Sequence, residues 1–294
     1  MRWLRAVSIV CVLGLLLLPS GCIKGKQTVK INPDGSGTLK IHQALGEQIS
    51  SMITGFAEKG HEQEAMDKSL YQDLAKWDGI VAWTDVKATL KDGHVVTDAT
   101  GYFEDATKLG NISNRTRFTW KKNDDGGFSL TSIAEKNDEQ KDPFGDKGQS
   151  SIMQAQQMKD MFKGLKVEQE FVLPGKVTKT STQAHEGRSA TMTITDEDIF
   201  KILELGESLK KKIDAGELTK EKATAELEKT TSSMDRIEVT CAAGSTDDEV
   251  AQFKKDLEAA KASYKDSELA KSVATQREQA EKAEKAKQEK AGGE

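Results

Sequence analysis

The chain is predicted to be an α+β protein: an antiparallel β-sheet with helices packed on it, followed by a long charged C-terminal helical tail. Three observations lead there. Short stretches of alternating apolar and polar residues recur between glycine-rich turns, as half-buried strands require. Apolar residues at three- and four-residue spacing fill the intervals. From Asp247 onward the composition collapses to Ala, Glu, Lys and Gln.

The first 22 residues are a case apart. Arg2 and Arg5 precede an uncharged run from Ala6 to Leu18, and Ser20 and Gly21 stand before Cys22. A cationic start, a short apolar core and small residues before a cleavage point make a secretion signal, and the run falls short of the ~20 apolar residues of a spanning helix. The cysteine at the cleavage point makes the pattern a bacterial lipobox, with Pro19 in place of the usual Leu and Leu18 one place earlier. Lipidation is therefore expected at Cys22, which becomes the mature N-terminus; two or three acyl chains on one residue anchor a protein stably. Ile23 is not the aspartate that retains lipoproteins at an inner membrane, so an outer-membrane location is favoured in a two-membrane cell.

The elements follow in order. Thr28 to Asn32 and Thr38 to His42 flank Pro33-Asp34-Gly35-Ser36-Gly37 and read as a β-hairpin. No Gly-Lys-Ser/Thr follows, which excludes a phosphate loop. From Leu45 to Trp77 the spacing is helical, with Ile49, Ile53 and Phe56 on one stripe and Met66, Leu70, Leu74 and Trp77 on another, broken near Gly60. Ile80 to Leu90, Val95 to Phe103, Arg115 to Lys121 and Phe128 to Ala134 read as antiparallel meander strands. Lys91-Asp92-Gly93 and Asn123-Asp124-Asp125-Gly126-Gly127 turn between them. The acidic second turn lacks the alternating ligands of a calcium loop.

Lys136 to Gln149 reads as a polar loop leading into a short helix, Ile152 to Phe162, that carries Met153, Met158 and Met161. Val167 to Leu173 and Ala190 to Ile194 are strands, the second alternating Ala190, Met192 and Ile194 with threonines. Thr195 and Asp198 form a capping pair for a helix through Ile213. A second helix runs to about Ser233, and a last strand, Arg236 to Ala242, turns Ile237, Val239 and Cys241 to one side. Val250, Phe253, Leu257 and Ala260 give the start of the tail an apolar face suited to docking on the domain, which thins to Val273 and alanines beyond Leu269. The expected organisation is a signal peptide (1–21), a lipidated tether (22–26), an α+β envelope domain (27–245) and a helical to disordered tail (246–294).

Composition limits the function classes. The chain has 31% charged residues and a mean hydropathy of −0.59. Loss of Arg2 and Arg5 from 43 basic residues leaves 41 against 48 acidic ones, a formal charge of −7. That sign argues against nucleic acid as a partner. Of three cysteines only Cys241 falls in the folded domain, which leaves no internal disulfide if Cys22 is acylated. Cys241 reads as a buried thiol. His42, His61, His94 and His185 have no spacing partner, and His61-Glu62 lacks the second histidine of a zinc-peptidase helix, with Ala65 there instead. No nucleophile elbow, Cys-x-x-Cys pair or dinucleotide fingerprint occurs. No catalytic residue, metal ligand or cofactor is assigned, and the expectation is a protein without catalytic activity.

Two stretches carry a family resemblance. Cys22-Ile-Lys followed by Ile31-Asn-Pro-Asp-Gly-Ser-Gly-Thr-Leu39, and Phe171-Val-Leu-Pro-Gly-Lys176 with Gly187 and the threonine-rich strand ending at Ile194, resemble bacterial lipoproteins of the LppM type. The resemblance implies a lipid-anchored α+β domain, with lipid or glycolipid binding suggested for some members and no catalytic residues. This chain departs from it in its long charged tail and in having no C-terminal transmembrane helix.

The functional expectation is a lipid-anchored cell-envelope protein, held in the membrane through Cys22. One version binds an apolar or amphiphilic ligand between sheet and helices, with Trp77, Trp83, Phe103, Phe118, Trp120 and Met153 as lining residues. The alternative is a scaffold that engages an envelope partner through its tail.

Overall fold

The computed structural model describes residues 23–55, 57–111, 116–134, 159, 162–244 and 247–291. The described chain is α+β, with two sheets that are mostly antiparallel. β1 (Lys24–Ile31) and β2 (Gly37–Ala44) form the first hairpin, then come α1 (Glu47–Gly55), α2 (Glu62–Leu74), β3 (Trp77–Asp78), β4 (Ile80–Lys91) and β5 (His94–Phe103). β6 (Gly110–Asn111), β7 (Thr116–Lys122), β8 (Phe128–Ala134), β9 (Lys166–Val172), β10 (Val177–Thr180), β11 (Ala184–Glu186) and β12 (Ser189–Thr195) follow. The chain ends with α3 (Asp196–Asp214), α4 (Lys220–Asp235), β13 (Arg236–Cys241), α5 (Asp247–Tyr264) and α6 (Glu268–Ala291).

The seven-stranded sheet has the order β11-β12-β9-β1-β2-β5-β4, and the six-stranded one β10-β13-β8-β7-β6-β3. Strand alternation settles which face each buries: from Gln27 of β1 onward, from Val167 of β9 onward and throughout β12, every second residue is buried and its neighbours are half-exposed. The inner faces meet where Phe118 of β7 packs edge-on against Phe171 of β9, ring centres 6.4 Å apart. Such edge-to-face geometry suits the opposed charge of ring face and rim.

At the β1–β2 hairpin the glycines are dictated by space. A Cβ on Gly37 would sit 1.9 Å from the Lys30 carbonyl oxygen. Asn32 closes the turn by donating Nδ2 to Ser36 Oγ at 3.1 Å. Thr195 caps α3 as its sequence implies: its hydroxyl accepts from the Asp198 amide, and the Asp198 carboxylate accepts from the Thr195 amide at 3.0 Å. Pairing both orphan donors fixes where strand gives way to helix.

Five features differ from the sequence reading. The four strands read as one meander are divided, β4 and β5 in one sheet and β7 and β8 in the other, because the chain crosses over between Phe103 and Gly110. Trp77 is off the helical stripe, since α2 ends at Leu74 and Trp77 pairs with Asn111 in β3. β1 and β9 are parallel neighbours, a pairing across distant sequence that local periodicity does not encode. Where a tether was expected, Ile23 is buried and Lys24, Gly25 and Lys26 already pair with Ala44, Gln43 and His42. The apolar face of the tail docks on the domain as read, with Phe253, Leu257 and Ala260 of α5 buried, but the docking continues further than expected, into α6, where Val273 is buried as well.

α5 lies on the outer face of the seven-stranded sheet, with Phe253 against Tyr102 of β5 at a ring separation of 6.0 Å. α6 turns back onto α2. There the Arg277 guanidinium donates to the Trp77 carbonyl. Among the described residues no helix is long and apolar enough to cross a membrane.

Candidate functional site

The inner face of the seven-stranded sheet is built in rows. One runs Ala190, Phe171, Val29, Leu39, Gly101, Trp83 across β12, β9, β1, β2, β5 and β4, and is apolar throughout. The aromatic ring of Trp83 fills the space over Gly101, where a Cβ would come within 2.8 Å of it. The next row is Met192, Gln169, Gln27, Ile41, Ala99. Two glutamines therefore stand opposite each other in the middle of an inner face, each buried to 2% exposure. Gln43 and Thr97 follow in the row beyond, also buried.

On the six-stranded sheet Ser132 of β8 pairs with Phe118 of β7, the residue that touches Phe171. Ser132 Oγ and Gln169 Oε1 are both buried without a hydrogen-bond partner. A buried polar atom left unpaired costs about 1–3 kcal/mol, so each calls for a physical reason. Together they leave an acceptor and a hydroxyl on the two inner faces that meet at Phe171 and Phe118. A molecule with an apolar body and a hydroxyl or amide group has the chemistry to satisfy both.

The aromatic residues expected to line a pocket are placed as follows. Trp77, Trp83, Phe103 and Phe118 are all buried within one continuous core. Trp120 is half-buried and lies flat on Phe128, ring centres 5.0 Å apart and planes 4° from parallel. Trp83 and Phe103 belong to the seven-stranded sheet, and Trp77, Phe118 and Trp120 to the six-stranded one. Met153 and Cys22 lie outside the described residues, as does Phe56. The glutamines and Ser132 were missed. Gln169 and Ser132 fall inside strands the sequence reading identified, whereas Gln27 and Gln43 belong to extensions of the first hairpin beyond Thr28–Asn32 and Thr38–His42.

The histidines stand apart. His42 Nδ1 lies 2.7 Å from Asp98 Oδ1 on the exposed outer face, and His61 Nδ1 3.1 Å from Glu64 at the start of α2. His94 Nδ1 meets the Leu45 carbonyl at 2.9 Å. Cys241 is buried in β13, and its burial raises the thiol's pKa, favouring the inert protonated form. Among the described residues no group of three or more His, Cys, Asp and Glu side chains is placed to hold a metal ion.

The strongest electrostatic feature is structural. Arg188, between β11 and β12, reaches Glu249 of α5 with both ends of its guanidinium and donates Nε to the Leu173 carbonyl at 2.7 Å. Lys30 of β1 adds a contact of 2.8 Å to the same carboxylate. Hydrogen bonds from Arg188 and then Lys30 hold the Glu249 pKa at about 2. This cluster ties α5 to β1 and to the β11–β12 turn.

No family model matches the chain, and no curated protein matches it. Among solved structures it is similar to the folded domain of LppM from Mycobacterium tuberculosis, determined by NMR. The likeness has a TM-score of 0.31 and 13% identity over 61% of this chain and 86% of that one. The class defined by the chain itself is a two-sheet α+β domain.

Proposed function

We propose that this protein is a lipid-anchored domain of the cell envelope that acts by binding and not by catalysis. The observation that carries the reading is the junction at residues 22 and 23. A cationic and apolar leader ends at Cys22, and the packed domain begins at the next residue, with Ile23 buried and its carbonyl accepting from the Lys166 amide at 2.9 Å. Cleavage before Cys22 would thus remove the leader and leave every described strand and helix whole. The test is metabolic labelling with a fatty-acid probe in the native host, comparing the natural chain with Cys22→Ala. Label should disappear from the variant, and equal labelling of the two would sink the anchored reading.

A second reading adds a ligand, an amphiphile with one hydroxyl or amide head held between the sheets. It is favoured by the unpaired Gln169 Oε1 and Ser132 Oγ. Native mass spectrometry of the full chain purified from envelopes should then show a discrete added mass that Gln169→Leu loses. If the interior holds no ligand, both proteins have bare masses. Gln169→Leu is then the more stable by about 1 kcal/mol, because an unpaired amide has been removed.

A further inference from the structure

We propose that the end of the domain where β1 begins is laid flat against the lipid surface, with Met52 and Leu90 seated in the interfacial layer. The inference rests on the anchored reading and adds an orientation to it. With Ile23 packed and Lys24 already paired to both Ala44 and Lys166, one residue separates an acylated Cys22 from the sheet. A residue spans at most ~3.6 Å, so the starts of β1 and β9 are held within roughly 10 Å of the membrane. A long flexible tether would leave the domain free to tumble, whereas a link this short selects which end faces the lipid.

That end is also where the domain's exposed apolar side chains are found. The exposed large hydrophobic residues among those described are Met52, at 39%, and Leu90, at 52%. Met52 lies in α1, which begins three residues beyond Ala44, the partner of Lys24. Leu90 pairs with Val95, and the adjacent Val96 pairs with that same Ala44. Across β1, β2, β5 and β4 this places Leu90 three strand spacings, about 14 Å, from the anchored strand and at the same level. Lys24, Lys91 and Lys166 are exposed around this end, and so are the acidic Glu47 and Asp92. Mixed charge of this kind gives little preference for anionic lipid, so the apolar contacts set the pose. A bilayer interface suits the arrangement, since it accepts isolated apolar side chains among lysines whose stems reach along the surface.

The test uses the full chain, acylated in its host and reconstituted into phosphatidylcholine vesicles. An environment-sensitive fluorophore is attached in turn through Met52→Cys, Leu90→Cys and Asp124→Cys, the last at the β7–β8 turn. Flotation of the vesicles is scored separately from the fluorescence. The expected result is flotation of all three, with blue-shifted emission and at least twofold quenching by nitroxide-bearing lipid at positions 52 and 90 and none at 124. Flotation with all three labels in water overturns the orientation and leaves the anchor standing. Failure of the protein to float overturns the anchored reading, and this one with it. Shielding of positions 52 and 90 that rises with protein concentration in the absence of vesicles would assign the face to a second copy of the chain, which also overturns the proposal.

Discussion

Arg188 and Glu249 form a two-pronged ion pair, Nη1 to Oε1 at 2.8 Å and Nη2 to Oε2 at 3.1 Å, across 61 residues of sequence. Two parallel hydrogen bonds fix direction as well as distance, which makes the pair the hinge pin between α5 and the β11–β12 hairpin. The Glu249 side chain remains 39% exposed, so solvent screening keeps its contribution near 1 kcal/mol. Its folded pKa of about 2 lies below the ordinary 4.5. The stabilisation is therefore complete above pH ~4.5 and fades as the pH falls through about 2. Urea midpoints of the natural chain and Glu249→Gln should differ at pH 7 and converge toward pH 2.5. A gap of equal size at both values would contradict this account.

The second expectation concerns α6. Val273 is buried and Arg277 donates to the Trp77 carbonyl, so this helix closes over α2 and β3. Ending the chain after residue 265 exposes that apolar surface. The melting temperature should fall by roughly 5 °C, the equivalent of about 2 kcal/mol in a domain of this size. Ending it after residue 282 should change the melt little. Identical melts for the two truncations would show that the α6 contact contributes nothing.

Gly101 offers a third check. Its missing side chain is replaced by the Trp83 ring from the neighbouring strand, so Gly101→Ala must push the indole aside. Overpacking of this kind costs about 1–3 kcal/mol. Tryptophan emission should shift to the red in Gly101→Ala relative to the natural chain, whereas Gly101→Ala combined with Trp83→Leu should emit like Trp83→Leu alone, since the ring that clashes is gone.

A fourth concerns the thiol. Cys241 is 1% exposed and its pKa is raised by burial, so a disulfide reagent at pH 8 should leave it unmodified in the folded protein. Full reaction in 6 M guanidinium serves as the control. Rapid labelling without denaturant would show that β13 opens readily.

What was legible in the sequence was whatever is determined over a few residues. The Asn32–Gly37 turn, the Thr195–Asp198 cap and the inward set Ile237, Val239 and Cys241 each follow from neighbours close in the chain, and all are found in place. Partner choice between distant strands is different. Nothing local to Val29 specifies Phe171 beside it, so the β1–β9 pairing and the division into two sheets were invisible. The tail misled for a related reason. Val273 amid alanines looks too sparse to hold a helix, until α2 supplies the opposing face. The buried glutamines carry no local signal of their own: Gln27 and Gln43 lie in strand ends that pairing with β9 and β5 extends, and only the long-range register sets Gln27 opposite Gln169.

The β1–β9 pairing also sets an order of events in folding. Thr28 and Glu170 touch across 142 residues, whereas β1 and β2 meet through a five-residue turn. In a chain emerging from its N-terminus, the four strands β1, β2, β5 and β4 can assemble while β9 is still unsynthesised. One edge of β1 then stays open until Lys166–Val172 arrives to close a loop whose entropy rises only slowly with its length. Assembly of this kind is slow and exposes an unpaired strand edge in the interim. Substitutions in β9 should therefore slow closure of the seven-stranded sheet and promote aggregation of the half-built sheet, while leaving the first hairpin able to form.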